Sequence, residues 1–288
     1  MIKATEPLPE AYTKLPFPQL PQIYRLKVLG LEFMRSPDVD GGYLYVTRWG
    51  WRRLEHLRPE TWYRKRRFAK QGRRLRSSTG TVYRYLAEPE EREPMDLLIK
   101  VCRVAEEVPG REASANPMAR MLAEASFNSP FEEFALLNEL REARHDSGVL
   151  VRTMLPLAIY CGPRDLPLWQ LGRKPGEFQR HWVQQEQDQA PMEEGLRVHL
   201  MEKRQYFMIY AWVPGLDAQE AVEQGLLEES ELAELTERVN RELAENGFRI
   251  VDNKPKHFIL RKNRKGELLR HRGDLVYVQI DFELLEKL

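Results

Sequence analysis

Four short apolar segments precede the clearest amphipathic helix of the chain. They are TVYRYLA (81–87), DLLIKVCRVA (96–105), VLVRTMLPLAIYC (149–161) and YFMIYAWV (206–213). Each is rich in β-branched and aromatic residues, and each reads as a strand. The acidic turn EPEEREPM joins the first two. The helix is ESELAELTERVNRELAENG (229–247), with Ser230 expected as N-cap and Gly247 just past its end. A second helix is expected from SPFEEFALLNELREA, where Ser129 caps, Pro130 takes the first position and Glu132 follows three residues after the cap. The chain then closes with HFILRKNRKGELLRHRGDLVYVQIDF, two or three short strands around basic turns. Strands first, then a hinge-like segment, a long helix and a hairpin: this order predicts an α+β fold in two lobes.

At 288 residues, with 42% apolar and 31% charged residues, the chain can bury a core and is not of disordered composition. Its formal net charge of +1 gives no global signal for nucleic acid or membrane. Only Cys102 and Cys161 occur, which argues against a disulfide scaffold or a zinc site. No stretch is long and apolar enough for a signal peptide or a membrane span, so a cytoplasmic setting is expected.

Charge does cluster locally. Between Arg48 and Arg76 lie twelve Lys or Arg residues against two acids, Glu55 and Glu60. Trp49, Trp51, Trp62, Tyr63 and Phe68 are interleaved with them. Such a segment suits phosphate and base contacts, or packing on an acidic protein surface. With the proline-punctuated first 25 residues it reads as a basic, Pro-rich N-terminal extension spanning 1–70.

Four further stretches carry chemistry. In SSTGTVYRYL, Gly80 and Val82 resemble the end of a glycine-rich phosphate loop and the strand after it, with Leu75 and Ser77 where that resemblance would put earlier glycines. In LLIKVCRV, Lys100 sits inside an apolar run, where a buried ammonium needs a partner. In IVDNKPKHFIL, Asp252, Lys254, Pro255 and His257 follow the long helix, and YVQIDFELL places Asp281 after an apolar strand. Taken singly these have plain explanations: a turn at Gly80, a solvated strand face at Lys100, an Asx turn at Asp252, a loop histidine, a strand cap at Asp281.

In this order the stretches resemble the protein-kinase-like superfamily, nearest in motif to lipopolysaccharide core sugar kinases and other atypical small-molecule kinases. The resemblance covers roughly residues 70–288. It implies a β-rich N-lobe over 71–213, with an insertion at about 162–195, and a minimal or truncated C-lobe over 214–288. It implies that Lys100 binds nucleotide phosphates, with Glu133 as its helix partner; Glu132 is the alternative tied to the helix cap and Glu139 the reserve. Gly80 and Val82 would cover the nucleotide, and Ala211 to Val213 would offer backbone groups to the adenine. Asp252 would orient the acceptor hydroxyl and Lys254 would neutralise the transferred phosphoryl group. His257 and Asp281 would hold Mg²⁺, or Mn²⁺, since imidazole is a softer ligand than the usual asparagine oxygen. The implied function is ATP-dependent phosphotransfer to a saccharide or other small hydroxyl acceptor. The alternative is a pseudokinase: a binding module without turnover, whose basic segment engages a protein or nucleic acid. The eroded glycine loop, His257, and Glu283 in place of a glycine favour that second reading.

Overall fold

Strand formation begins well before the apolar runs at 81–105. The segment RLKVLGLEFMRSP alternates apolar and polar residues around Leu29-Gly30, and it folds as a hairpin of β1 (Arg25–Val28) and β2 (Leu31–Pro37). Leu29 and Gly30 both adopt positive φ, 47° and 80°, the backbone that a two-residue hairpin turn requires. The computed structural model describes residues 6–75, 80–90, 92–109, 121–122, 124–177 and 200–288. These form two compact units, one drawn from Met1–Pro109, Ser126–Ala135 and Leu155–Trp212, the other from Gly110–Ala125, Leu136–Met154 and Val213–Leu288. The fold is α+β.

The first unit is built on an eight-stranded antiparallel sheet. Besides β1 and β2 it contains β3 (Tyr43–Thr47), β4 (Arg73–Arg74), β5 (Val82–Ala87), β6 (Met95–Val101), β7 (Pro156–Asp165) and β8 (Arg204–Ala211), in the order β1-β2-β3-β7-β8-β6-β5-β4. The segment expected to be an extension is therefore part of this unit. Residues 25–47 supply three of its strands, and short helical turns between Arg48 and Gln71 follow them. The interleaved aromatics turn inward. Trp51, Trp62 and Phe68 join Leu57, Leu97, Ile99 and Phe207 in one core cluster, and Trp62 is wholly buried with its ring edge-on to Tyr160 and Phe207. Burial of such rings outweighs the surrounding charge, because arginine stems can reach solvent while the rings stay covered.

One contact fixes the turn after β3. Thr47 Oγ1 donates to Pro156 O at 2.8 Å and accepts from Gly50 N at 3.2 Å. A Cβ at Gly50 would lie 2.1 Å from Leu157 O, so only glycine lets the turn approach β7.

Helix α1 (Pro130–Ser147) starts as its sequence implies. Ser129 Oγ accepts from Glu132 N at 3.2 Å, and Ser129 N donates to Glu132 Oε2 at 2.8 Å. Its Phe131 and Phe134 rings meet Phe33, Tyr45, Tyr206 and Tyr210 on the sheet. Residues 149–155, expected to open a strand, do not; Thr153 instead makes an isolated parallel bridge to Gln279 in the second unit, and β7 begins at Pro156. Of the expected insertion at 162–195, residues 162–165 extend β7 and Leu168–Leu171 form a 3₁₀ turn; residues 178–195 lie outside the described residues.

In the second unit, α2 (Ala218–Glu223) is followed by α3 (Glu229–Glu245), which buries Leu232, Leu235, Val239 and Leu243 at helical spacing. Its N-cap is Glu228 rather than Ser230: Leu232 N donates to Glu228 O at 3.0 Å, and Glu231 Oε2 accepts from Glu228 N at 3.3 Å, so the glutamate pair starts the helix earlier. Gly247 follows with φ +80°, as expected past a helix end. Strand β9 (Leu216–Asp217) pairs β11 (Phe258–Leu260), which pairs β14 (Tyr277–Gln279). β10 (Phe248–Ile250) pairs β15 (Leu285–Lys287), and β12 (Arg270–His271) pairs β13 (Asp274–Leu275) in a small hairpin between β11 and β14. No helix of the described residues is long and apolar enough to cross a membrane.

Candidate functional site

The residues singled out from sequence fall into two groups, one in each unit. In the first unit the sheet register decides their arrangement. Lys100 on β6 pairs across to Val82 on β5 and to Met208 on β8, while Tyr210 pairs with Leu98. Opposite partners share a face, and so do residues two apart along a strand, so Lys100, Val82 and Tyr210 share one face of the sheet. Helix α1 brings Glu133 to that face. Lys100 Nζ lies 3.7 Å from Glu133 Oε1, and the Tyr210 hydroxyl donates to the same oxygen at 2.6 Å. Lys100 is 4% exposed, and Glu133 and Tyr210 are fully buried. Two charges removed from water persist only when paired and hydrogen-bonded, which is the arrangement found.

The three acids considered for Lys100 separate cleanly. Glu132 closes the cap of α1 with Ser129, Glu139 forms an ion pair with Lys287, and Glu133 faces the lysine. Tyr210 was not singled out from sequence. Its signal is weak there, because only pairing with β6 places its hydroxyl beside Glu133.

Gly80 precedes β5, and residues 76–79 of the loop before it lie outside the described residues. A Cβ at Gly80 would meet Arg103 Cδ at 3.5 Å, an ordinary contact, so this position does not require glycine. Leu75 N donates to Val82 O at 2.9 Å, closing the two strands that flank the loop. At the end of β8, Ala211 N donates to Leu155 O at 3.0 Å and Trp212 N to Asp96 O at 3.2 Å. Two of the three expected hinge donors are thus used within the sheet.

In the second unit, β10 leads into a turn at Val251-Asp252, a 3₁₀ turn at Pro255–His257 and then β11. Asp252 and Lys254 form a close ion pair. Antiparallel pairing of Phe258 with Gln279, and donation from Ile280 N to His257 O at 2.8 Å, bring the end of β14 beside the histidine. His257 Nε2 consequently lies 3.7 Å from Asp281 Oδ2. Asp281 holds φ +65°, a left-handed backbone that aspartate tolerates better than most residues. Phe282 after it is fully buried and Glu283 is 8% exposed.

The donor set was considered against a divalent cation. Two metal bonds of about 2.1 Å span at most about 4.2 Å, so the His257–Asp281 separation admits a shared ion. The aspartate is a hard oxygen donor that suits Mg²⁺. The histidine fits less well, because Lys254 N donates to its Nδ1 at 3.4 Å. An accepting Nδ1 leaves the proton of a neutral imidazole on Nε2, facing Asp281, where the metal-binding lone pair would have to be. Among the described residues no three His, Cys, Asp or Glu side chains gather around a metal position. One or two protein ligands nevertheless meet the habit of Mg²⁺, which takes its remaining ligands from phosphates and water.

No protein-family model matches the chain, and no curated protein does. Among solved structures, that of the Cydia pomonella granulovirus kinase PK-1 is similar at 13% identity and a TM-score of 0.30. The similarity covers 78% of this chain and 55% of that one, so the chain spans just over half the length of the structure it matches.

Proposed function

We propose that this chain is an ATP- and Mg²⁺-dependent phosphotransferase of two-lobed, protein-kinase-like fold, with a saccharide or other small hydroxyl compound as acceptor. The observation that carries the reading is the pairing of Lys100 with Glu133, a buried lysine meeting the helix acid that the motif selects. Strand order supports it: the hinge strand β8, the lysine strand β6 and the loop strands β5 and β4 are consecutive neighbours in the sheet. In this reading Lys100 holds nucleotide phosphates, with Glu133 fixing its position, and Val82 and Gly80 cover the nucleotide. Ala211 and Val213 frame the adenine, with Val213 the better placed to donate, since Ala211 N is already engaged. Asp281 holds Mg²⁺. His257 orients that carboxylate through Nε2–H and becomes a ligand only by moving its proton, the form in which Mn²⁺ competes with Mg²⁺. Asp252 orients the acceptor hydroxyl, and Lys254 exchanges its ion pair with Asp252 for the charge developing on the phosphoryl group.

A second reading, a pseudokinase that binds without turnover, is favoured by one observation: Lys100 is only 4% exposed, enclosed where a working lysine must reach phosphate. Thermal shift separates the readings. ATP with Mg²⁺ or Mn²⁺ is expected to stabilise the wild type, and Asp281→Asn to abolish the metal-dependent part. No shift with any nucleotide overturns the proposed phosphotransfer. Binding without ATP turnover across sugar, lipid and protein acceptors selects the pseudokinase.

A further inference from the structure

A large open groove of about 1370 Å³ runs over the first unit, away from Lys100 and Glu133. Its walls come from chain stretches far apart in sequence: residues between Leu8 and Pro18, residues between Arg48 and Thr61, Arg67, and Glu88, Pro89, Glu90 and Arg92. Lys14, Arg52, Arg53, Arg67 and Arg92 line it and form no ion pair among the described residues. Arg58, also in the wall, is offset by Glu55 at 2.9 Å. Three carboxylates, Glu10, Glu88 and Glu90, line the groove without an ion-pair partner among the described residues. The wall also holds His56, 8% exposed, whose Nε2 donates to Glu93 O at 2.7 Å. Its Nδ1 has no hydrogen-bond partner among the described residues, so a buried polar atom is left unmet in the groove wall.

We infer that this groove binds single-stranded nucleic acid. Its volume is above the roughly 300–1,000 Å³ of a small-molecule pocket, so the open groove has room for a ligand of several repeating units. Guanidinium groups suit phosphate oxygens in two-point contacts. The unpaired carboxylates discriminate among anions. An acidic peptide or sulfated glycan brings its anionic groups beside Glu10, Glu88 and Glu90 and meets them only through scattered backbone N–H or hydroxyl donors. A single strand offers phosphates to the arginines and exocyclic amino groups of its bases to the glutamates. Trp51, Trp62 and Phe68 of the basic segment do not act as base platforms, because all three are in the core. Recognition is therefore by backbone charge and base edges, without stacking on those rings.

The test is fluorescence anisotropy with labelled single-stranded RNA and DNA of roughly 16 nucleotides, titrated over a range of salt. Two variants of equal charge change are compared: Arg52→Glu with Arg67→Glu in the groove, and Lys27→Glu with Lys70→Glu outside it. All four side chains are exposed, and circular dichroism checks that both variants fold. The groove variant is expected to lose affinity by roughly tenfold or more, with the salt slope falling by about 0.7 per contact removed. The outside variant is expected to bind within about twofold of wild type at equal salt. The inference is overturned if wild type shows no salt-dependent binding, if both variants weaken equally, or if heparin or polyglutamate competes as well as the oligonucleotide does.

Discussion

The Tyr210 hydroxyl donates at 2.6 Å to the same Glu133 oxygen that lies 3.7 Å from Lys100 Nζ. The buried carboxylate thus has a neutral partner on β8 closer than its charged partner on β6. Replacing Tyr210 by Phe removes a hydrogen bond to a charged group, which costs about 1.5–3 kcal/mol. Urea unfolding of Tyr210→Phe reads this directly. A cost below about 0.5 kcal/mol would show that the hydroxyl is not what holds the glutamate.

Breaking the Lys100–Glu133 pair from either side leaves a charge in the core. Lys100→Met alone and Glu133→Gln alone are each expected to lose about 3–5 kcal/mol, while the double variant Lys100→Met/Glu133→Leu recovers much of that loss. The signature is non-additivity in a double-mutant cycle. Additive losses would mean the two side chains are stabilised independently.

At Gly50 an added methyl group would sit 2.1 Å from Leu157 O, and backbone cannot yield as a flexible side chain does. Gly50→Ala is expected to cost about 3 kcal/mol, the upper part of the range for overpacking. The loss should appear as a lowered urea midpoint with unchanged m-value.

Asp281 carries its side chain on a left-handed backbone, φ +65°. Asp281→Asn should therefore fold with wild-type stability, whereas Asp281→Val should lose about 1–2 kcal/mol from backbone strain. Equal melting temperatures for the two variants would contradict this. The comparison also makes Asn the right variant for testing metal dependence.

Burial pushes the Cys102 thiol up to about 12 and the Cys161 thiol up to about 11, from an ordinary value of 9.0. Both thiols keep their protons in the folded chain at pH values where the unfolded chain has lost them. The stabilisation is complete below pH 9.0 and is lost as pH rises through the folded values of about 11 and about 12. A thiol reagent at pH 8 is expected to label neither cysteine until denaturant is added. Rapid labelling of native protein would refute their burial.

Helices were the most legible part of the sequence. The apolar residues of 229–245 recur at helical spacing, and Ser129, Pro130 and Glu132 announce the start of α1, because these signals are local. The Lys100–Glu133 pair was reached differently: an ammonium in an apolar run requires a carboxylate, and the resemblance to kinases, not the local sequence, selected Glu133 over Glu132 and Glu139. By contrast, alternation of charge and aromatics in 48–68 could not show which groups face inward. Reading it as an extension overlooked the Leu29-Gly30 turn, whose alternating flanks were the available sign of β1 and β2. Likewise Ser230 is a good cap residue, yet the glutamates at 228 and 231 begin the helix ahead of it.

The sequence by itself determined the two long helices and the strands β5, β6 and β8, and which charges could not be left alone in the core. Those outcomes follow from periodicity, capping and the cost of an unpaired buried ion, all of which act on neighbours or single residues. Tertiary structure alone decided that Tyr210 meets Glu133 and that Gly50 must be glycine. It also brought residues 25–47 into the sheet and placed His257 beside Asp281. These depend on strand pairings between residues far apart in the chain, whose register is set by packing a whole sheet face at once.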